Sequence, residues 1–162
     1  MVEDSRENRT ALKALNTSFI SLIPKQDNSM TPDRFRPITL CNVAYKIISK
    51  INANRLKPLL PTLISKEQTG YVEGRQILNN IIQSHEVVHS LISNRQAGMI
   101  IQLDLEKAYD KLSWAYIRKV LIAYGFDHNW VRWVMALVTT SIFSILLNGS
   151  PSKPFNPTRG LR

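Results

Sequence analysis

Apolar residues return along this chain at two different intervals, and the interval separates helix from strand. From Val43 to Leu60 the positions Ala44, Ile47, Ile48, Ile51 and Leu56 recur at helical spacing behind Asn42, a residue able to cap a helix start. An amphipathic helix is expected there, closed by Pro58 and Pro61, with Ser65 and Gln68 forming a capping-box pattern for a further short turn. Gln76–Asn94 predicts a longer helix, with Ile77, Ile81, His85, Val88 and Ile92 on one side and Leu78, Ile82 and Leu91 beside it. "WAYIRKVLIAY" from Trp114 and "HNWVRWVMALVTT" from His128 continue the series. Ser113 and Asp127 stand where their N-caps belong, and Gly125 where the first of them stops.

Shorter apolar runs predict strands. "FISLIPK" (19–25) and "RPITLCN" (36–42) flank the polar, turn-rich "QDNSMTPDRF", so a strand–loop–strand with an exposed basic tip is expected. "MIIQLDL" (99–105) is almost continuously apolar and reads as a central strand covered on both faces. "SIFSILLNGS" reads as a strand entering an Asn148-Gly149 hairpin turn. The first nine residues are polar and read as loose, with "TALKALNTSF" continuing a helix. No internal repeat interrupts this order, so the expected fold class is α+β in one unit.

Composition narrows the chemistry. Of 162 residues 44% are hydrophobic, enough for a core, and the net charge of +9 favours polyanionic partners. No apolar run approaches the roughly 20 residues of a membrane span. The "MVEDSRENRT" start is charged where a signal peptide is apolar, so no membrane contact and an intracellular site are expected. The single cysteine, Cys41, excludes an internal disulfide and a cysteine-rich zinc site. His85 and His89 have helical metal-site spacing but no third ligand nearby. "QTGYVEGRQ" has two glycines but no Walker lysine and serine. Lys46, Lys50 and Lys57 line the polar side of the 43–60 helix, either as a solvated face or as a phosphate-facing stripe.

In this basic chain Asp104 ends the apolar run 99–105. Either it begins a turn, or it holds a divalent cation against a phosphate. Tyr109, five residues on, is either a core aromatic or a flat ring able to exclude a sugar 2′-hydroxyl.

Taken in order, "LIPKQDNSMTPDRFRPITLCNVAYKIISKINANRLKPLL", "EQTGYVEGRQ", "IIQLDLEKAYDKLSW" and "LLNGSPSKPFNPTRGLR" resemble the reverse transcriptases of non-LTR (LINE-type) retrotransposons, particularly plant elements, over residues 18–162. The resemblance implies a partial right-hand polymerase fold, fingers plus an incomplete palm without the thumb, behind an N-terminal linker or truncated helix at 1–17. It makes Asp104 the first catalytic aspartate, with the Leu105 carbonyl as a second contact to Mg²⁺, and Tyr109 the ring that favours deoxynucleotides. Lys25 and Arg36 then approach the incoming triphosphate, Arg36 with a guanidinium suited to bidentate phosphate contact. Lys46, Lys50 and Lys57 face the template, Arg75 lies near its path, and Asp110 is structural. RNA template, DNA primer and deoxynucleotides are the implied partners, and nuclear residence would suit target-primed synthesis, although no segment is a clear nuclear signal. The family's adjacent aspartate pair lies beyond Arg162, and residues 128–162 contain no Asp or Glu. These residues alone are therefore expected not to polymerise, since one carboxylate cannot hold two metals. A non-catalytic RNA-binding remnant and a decayed element product are the alternatives.

Overall fold

The computed structural model describes residues 2–7, 9–28, 30–105 and 107–161. In chain order the helices are α1 (Val2–Glu7), α2 (Arg9–Leu15), α3 (Val43–Leu56), α4 (Leu60–Leu63), α5 (Ile77–Ser93), α6 (Ala108–Lys111), α7 (Trp114–Ala123) and α8 (His128–Thr139). The strands are β1 (Thr17–Pro24), β2 (Phe35–Leu40), β3 (Ile142–Leu147) and β4 (Ser150–Pro151). The mixture is the α+β class read from the sequence. Instead of one unit there are two, Met1–Ile51 with Lys107–Arg162, and Asn52–Glu106. Pairings distant in sequence tie the ends of the chain together and leave the middle to its own local contacts.

The first unit holds the sheet, in the order β2-β1-β3-β4. β1 and β2 form the expected antiparallel pair, from Phe19 opposite Leu40 to Pro24 opposite Phe35. β3 pairs with the other edge of β1 in parallel, Thr17 beside Ile142 and Ser21 beside Leu146. Along β1 the pleat buries Ser18 and Ile20 while Phe19 and Ile23 stay exposed. β3 then turns into β4 through Asn148 and Gly149, both at positive φ, as a two-residue hairpin of this sequence requires.

Leu12, Ile48, Trp133, Ala136 and Leu137 form the core of this unit, with Val2, Leu15, Tyr45 and Trp130 packed against it. The loose start read from the polar residues 1–9 is therefore corrected. α1 is docked, because Ser5 is buried and accepts a hydrogen bond from Trp133 Nε1 at 3.1 Å while its hydroxyl donates to the Val2 carbonyl at 2.6 Å. Asn16 fastens α2 to the end of α8 by donating from Nδ2 to the Leu137 carbonyl at 2.7 Å. The Tyr45 hydroxyl donates to the same carbonyl at 3.1 Å, and burial pushes its pKa up. The signals at Asp127, Gly125 and Asn42 act as read, whereas Ser113 stands at the N-cap of α7 with no side-chain cap hydrogen bond and Ser65 with Gln68 starts no helix. Asp127 Oδ1 accepts from the Asn129 and Trp130 amides at 2.9 and 3.1 Å. At the end of α7, Gly125 at φ +80° donates to Ile122 and Phe126 donates to Leu121, closing a Schellman motif. Asn42 Oδ1 accepts from the Ala44 amide at 2.9 Å at the start of α3.

In the second unit α5 occupies its expected span, with Gln76 at the N-cap position. The strand read into 99–105 is a correction: this segment takes no regular structure, and Met99, Ile100, Ile101, Leu103 and Leu105 are 71 to 84% exposed. A strand exists only through ladder partners, and the described residues of this unit contain no other strand to supply them. No helix among the described residues is long and apolar enough to cross a membrane.

Candidate functional site

The turn carrying Tyr109 belongs to the first unit. Lys107 takes a left-handed conformation at φ +53° and aims the chain into the short helix α6. Tyr109 stands 58% exposed there, on a cleft of about 340 Å³ lined by Pro37, Thr39, Lys107, Tyr109 and Asp110. The cleft thus joins the edge strand β2 to a turn some seventy positions later in the chain, which no periodicity announces.

The hairpin loop supplies the cations. Lys25 donates from its amide to the Arg34 carbonyl at 2.8 Å and from Nζ to the Asp33 carbonyl at 2.9 Å, which holds the loop 25–34 closed. The Thr31 hydroxyl and the Asp33 amide hold the exposed Asp33 carboxyl below its ordinary value, with smaller help from the charges of Lys107 and Lys25. Lys107 therefore shares the field of the loop that carries Lys25. The convergence of Lys107 with the hairpin is set by the fold.

Arg36 is placed differently. Paired strand residues share a face, so Arg36 lies with Ile23 and Ile38, whereas Pro37 and Thr39 line the Tyr109 cleft from the other side of β2. Since β2 is an edge strand, a long side chain on either face borders the same open edge. On α3, Lys46 and Lys50 are exposed one turn apart, opposite the buried Ile48. The helix stops at Leu56, so Lys57 falls in the 3₁₀ turn Lys57–Leu59 and does not extend that stripe as a third α-helical position. Pro58, locked in φ and lacking an N–H, accounts for the change of winding.

In the second unit Arg75 turns onto the backbone of its own loop. Its guanidinium donates to four backbone carbonyls, those of Pro61 (3.1 Å), Ile64 (2.9 Å), Gln68 (2.7 Å) and Ser65. Both terminal nitrogens are engaged in closing the 61–75 loop around the end of α4. The guanidinium thus holds backbone carbonyls that the helix end leaves over. The Glu67 carboxyl beside it is held below its ordinary value by its own backbone amide and the Ser65 hydroxyl, then by Arg75 and Lys66.

Asp104 and Leu105 are exposed in the irregular segment at the end of this unit. Among the described residues no group of three or more His, Cys, Asp or Glu could hold a metal ion. One carboxylate offers two oxygens, too few to anchor a pair of ions against their mutual repulsion. The described residues do not by themselves fit a resident two-metal centre.

Residues 23–162 match the family described as reverse transcriptase (RNA-dependent DNA polymerase). The chain is 29% identical over 145 residues to the transposon TX1 uncharacterized 149 kDa protein of Xenopus laevis, covering 90% of this chain and 11% of that protein. It is 25% identical over 143 residues to a retrovirus-related Pol polyprotein from a type-1 retrotransposable element R2 of Popillia japonica, covering 88% and 20%. The corresponding polyprotein from element R2DM of Drosophila melanogaster is 29% identical over 140 residues, covering 86% and 13%. The chain thus spans 11 to 20% of the length of these relatives, which come from a frog and two insects.

Proposed function

The chain belongs to the reverse transcriptase family, of the non-LTR retrotransposon type, and on that premise we propose that it supplies the nucleotide-facing hairpin and first catalytic carboxylate of an RNA-directed DNA polymerase. The observation that carries this reading is the family match across 23–162, which includes every assigned residue. β1 and β2 are the fingers hairpin. The segment holding Asp104 and Leu105, with the Tyr109 turn, is the start of the palm. Lys25 and Arg36 meet the incoming triphosphate, and Tyr109 abuts the sugar, where a rigid ring leaves no room for a 2′-hydroxyl. RNA template, DNA primer and deoxynucleotides are the partners. Enzymes of this family generally use divalent metals, usually Mg²⁺; here Asp104 would need carboxylates beyond those of residues 1–162, so the chain alone does not polymerise.

Primer extension tests the reading. Residues 1–162 should show no Mg²⁺-dependent incorporation, whereas a polymerase carrying them in frame with a carboxylate pair should extend a primer. In that polymerase Asp104→Asn should abolish synthesis and leave RNA affinity unchanged or slightly raised, because a repulsive charge is lost. Normal extension by the variant would refute the assignment of Asp104.

A second reading, RNA binding without catalysis, is favoured by the net charge of +9 and the exposed Lys46 and Lys50. It requires affinity that falls linearly in log–log form with salt and is indifferent to Asp104.

A further inference from the structure

We infer that residues 157–161 clamp the turn bearing Tyr109 and that Gly160 is the positioning residue of this clamp, an inference that rests on Tyr109 being the sugar-facing ring proposed above. Three hydrogen bonds define it. The Gly160 amide donates to the Leu112 carbonyl and the Leu161 amide to the Tyr109 carbonyl, both at 2.8 Å, so the two bonds bracket Asp110. Trp114 Nε1, at the start of α7, donates to the Gly160 carbonyl at 2.7 Å and fixes the clamp to a helix.

Glycine is required at 160 on two counts. Its φ is +88°, and a Cβ there would meet the Asp110 carbonyl oxygen at 2.8 Å and its Cα at 3.1 Å. Those are backbone atoms, so a larger residue moves the turn itself.

Asp110 lines both the Tyr109 cleft of about 340 Å³ and a second cavity of about 150 Å³, which is also bordered by Ile20, Phe143, Phe155 and Gly160. With open space on two sides of Asp110, these hydrogen bonds bear directly on where the ring stands. Loosening the clamp lets the ring drift and admits a ribonucleotide, since exclusion by sterics depends on where the obstacle stands.

Hydrogen exchange on the 162-residue chain and deoxy-to-ribonucleotide discrimination by a polymerase carrying it provide the test. Gly160→Ala should speed exchange of the Asp110 and Lys111 amides about tenfold, leave α8 unchanged, and lower the kcat/KM ratio for deoxy- over ribonucleotide about tenfold. Trp114→Phe keeps the ring and removes the donor, and should produce the same pattern at about threefold. If Gly160→Ala also exposes α8, Trp114→Phe decides. Unchanged exchange in the turn overturns the clamp. A Tyr109→Ala ratio that falls while both clamp variants keep theirs overturns the positioning role. A Tyr109→Ala ratio equal to that of the unmodified enzyme instead refutes Tyr109 as the discriminating ring, and exchange alone then judges the clamp.

Discussion

The two units bury their apolar residues to very different extents. Residues 1–51 with 107–162 enclose Leu12, Ile48, Val131, Trp133 and Leu137 almost completely. In residues 52–106 the one buried apolar side chain among the described residues is Val72, and Ile77, Leu78, Ile81 and Ile82 of α5 are about half exposed or more. Both units draw on similarly periodic sequence, so periodicity makes a helix without deciding what covers it. The first unit is held by burial, the second by polar contacts to its backbone. The proposed ring and hairpin stand on the former, whereas the proposed carboxylate stands on the latter.

The largest effect that sharpens this contrast is a cavity in the closed core. Ile48→Ala should destabilise the first unit by about 3 kcal/mol, read by urea denaturation with the fluorescence of Trp114, Trp130 and Trp133, which all lie in that unit. Ile101→Ala, at a 72% exposed position, should change stability by less than about 0.5 kcal/mol. Comparable costs for the two would break the contrast.

Next comes the polar anchor of the second unit. Arg75→Ala strands four carbonyls and should cost about 2 kcal/mol locally, seen as faster exchange of amides in residues 61–75. Arg75→Lys should recover little, since one ammonium cannot span the carbonyls that a planar fork reaches. If lysine restored full protection, the geometry of the fork would be immaterial.

Asp127→Ala removes the α8 cap and should cost about 1 kcal/mol in the same fluorescence assay, with Asp127→Asn close to neutral. Smallest is the response of the hairpin loop to acid. Because the folded state holds the Asp33 carboxyl below its ordinary value, its contribution is complete above that ordinary value and is lost as pH falls through the lowered one. Exchange of the Arg34 amide should therefore rise more on acidification in the parent than in Asp33→Asn, after correction for intrinsic rates; equal rises would remove Asp33 as the cause.

The residues of the proposed site draw notice in the sequence because their signals are local or belong to one ordered set of blocks. Asp104 and Tyr109 stand out as a carboxylate and a ring at fixed places after an apolar run, and Lys25 as a cation on a hairpin. Lys107 was passed over because its left-handed turn and its nearness to the hairpin loop are not written in its neighbours. The carbonyl contacts of Arg75 were not legible because a cation between glycines looks the same whether it faces phosphate or its own backbone carbonyls.

What the sequence by itself determined is what a few adjacent residues enforce: the caps at Asn42 and Asp127, the stop at Gly125, the turn at Asn148-Gly149 and the span of α5. The tertiary structure alone decided that β3 lies parallel to β1, that β2 meets the Tyr109 turn, that Gly160 grips it, and that 99–105 finds no ladder. A cap is satisfied within one helical turn, whereas a sheet edge, a cleft or a clamp needs groups brought together from distant parts of the chain, and local period carries no record of which distant group will arrive.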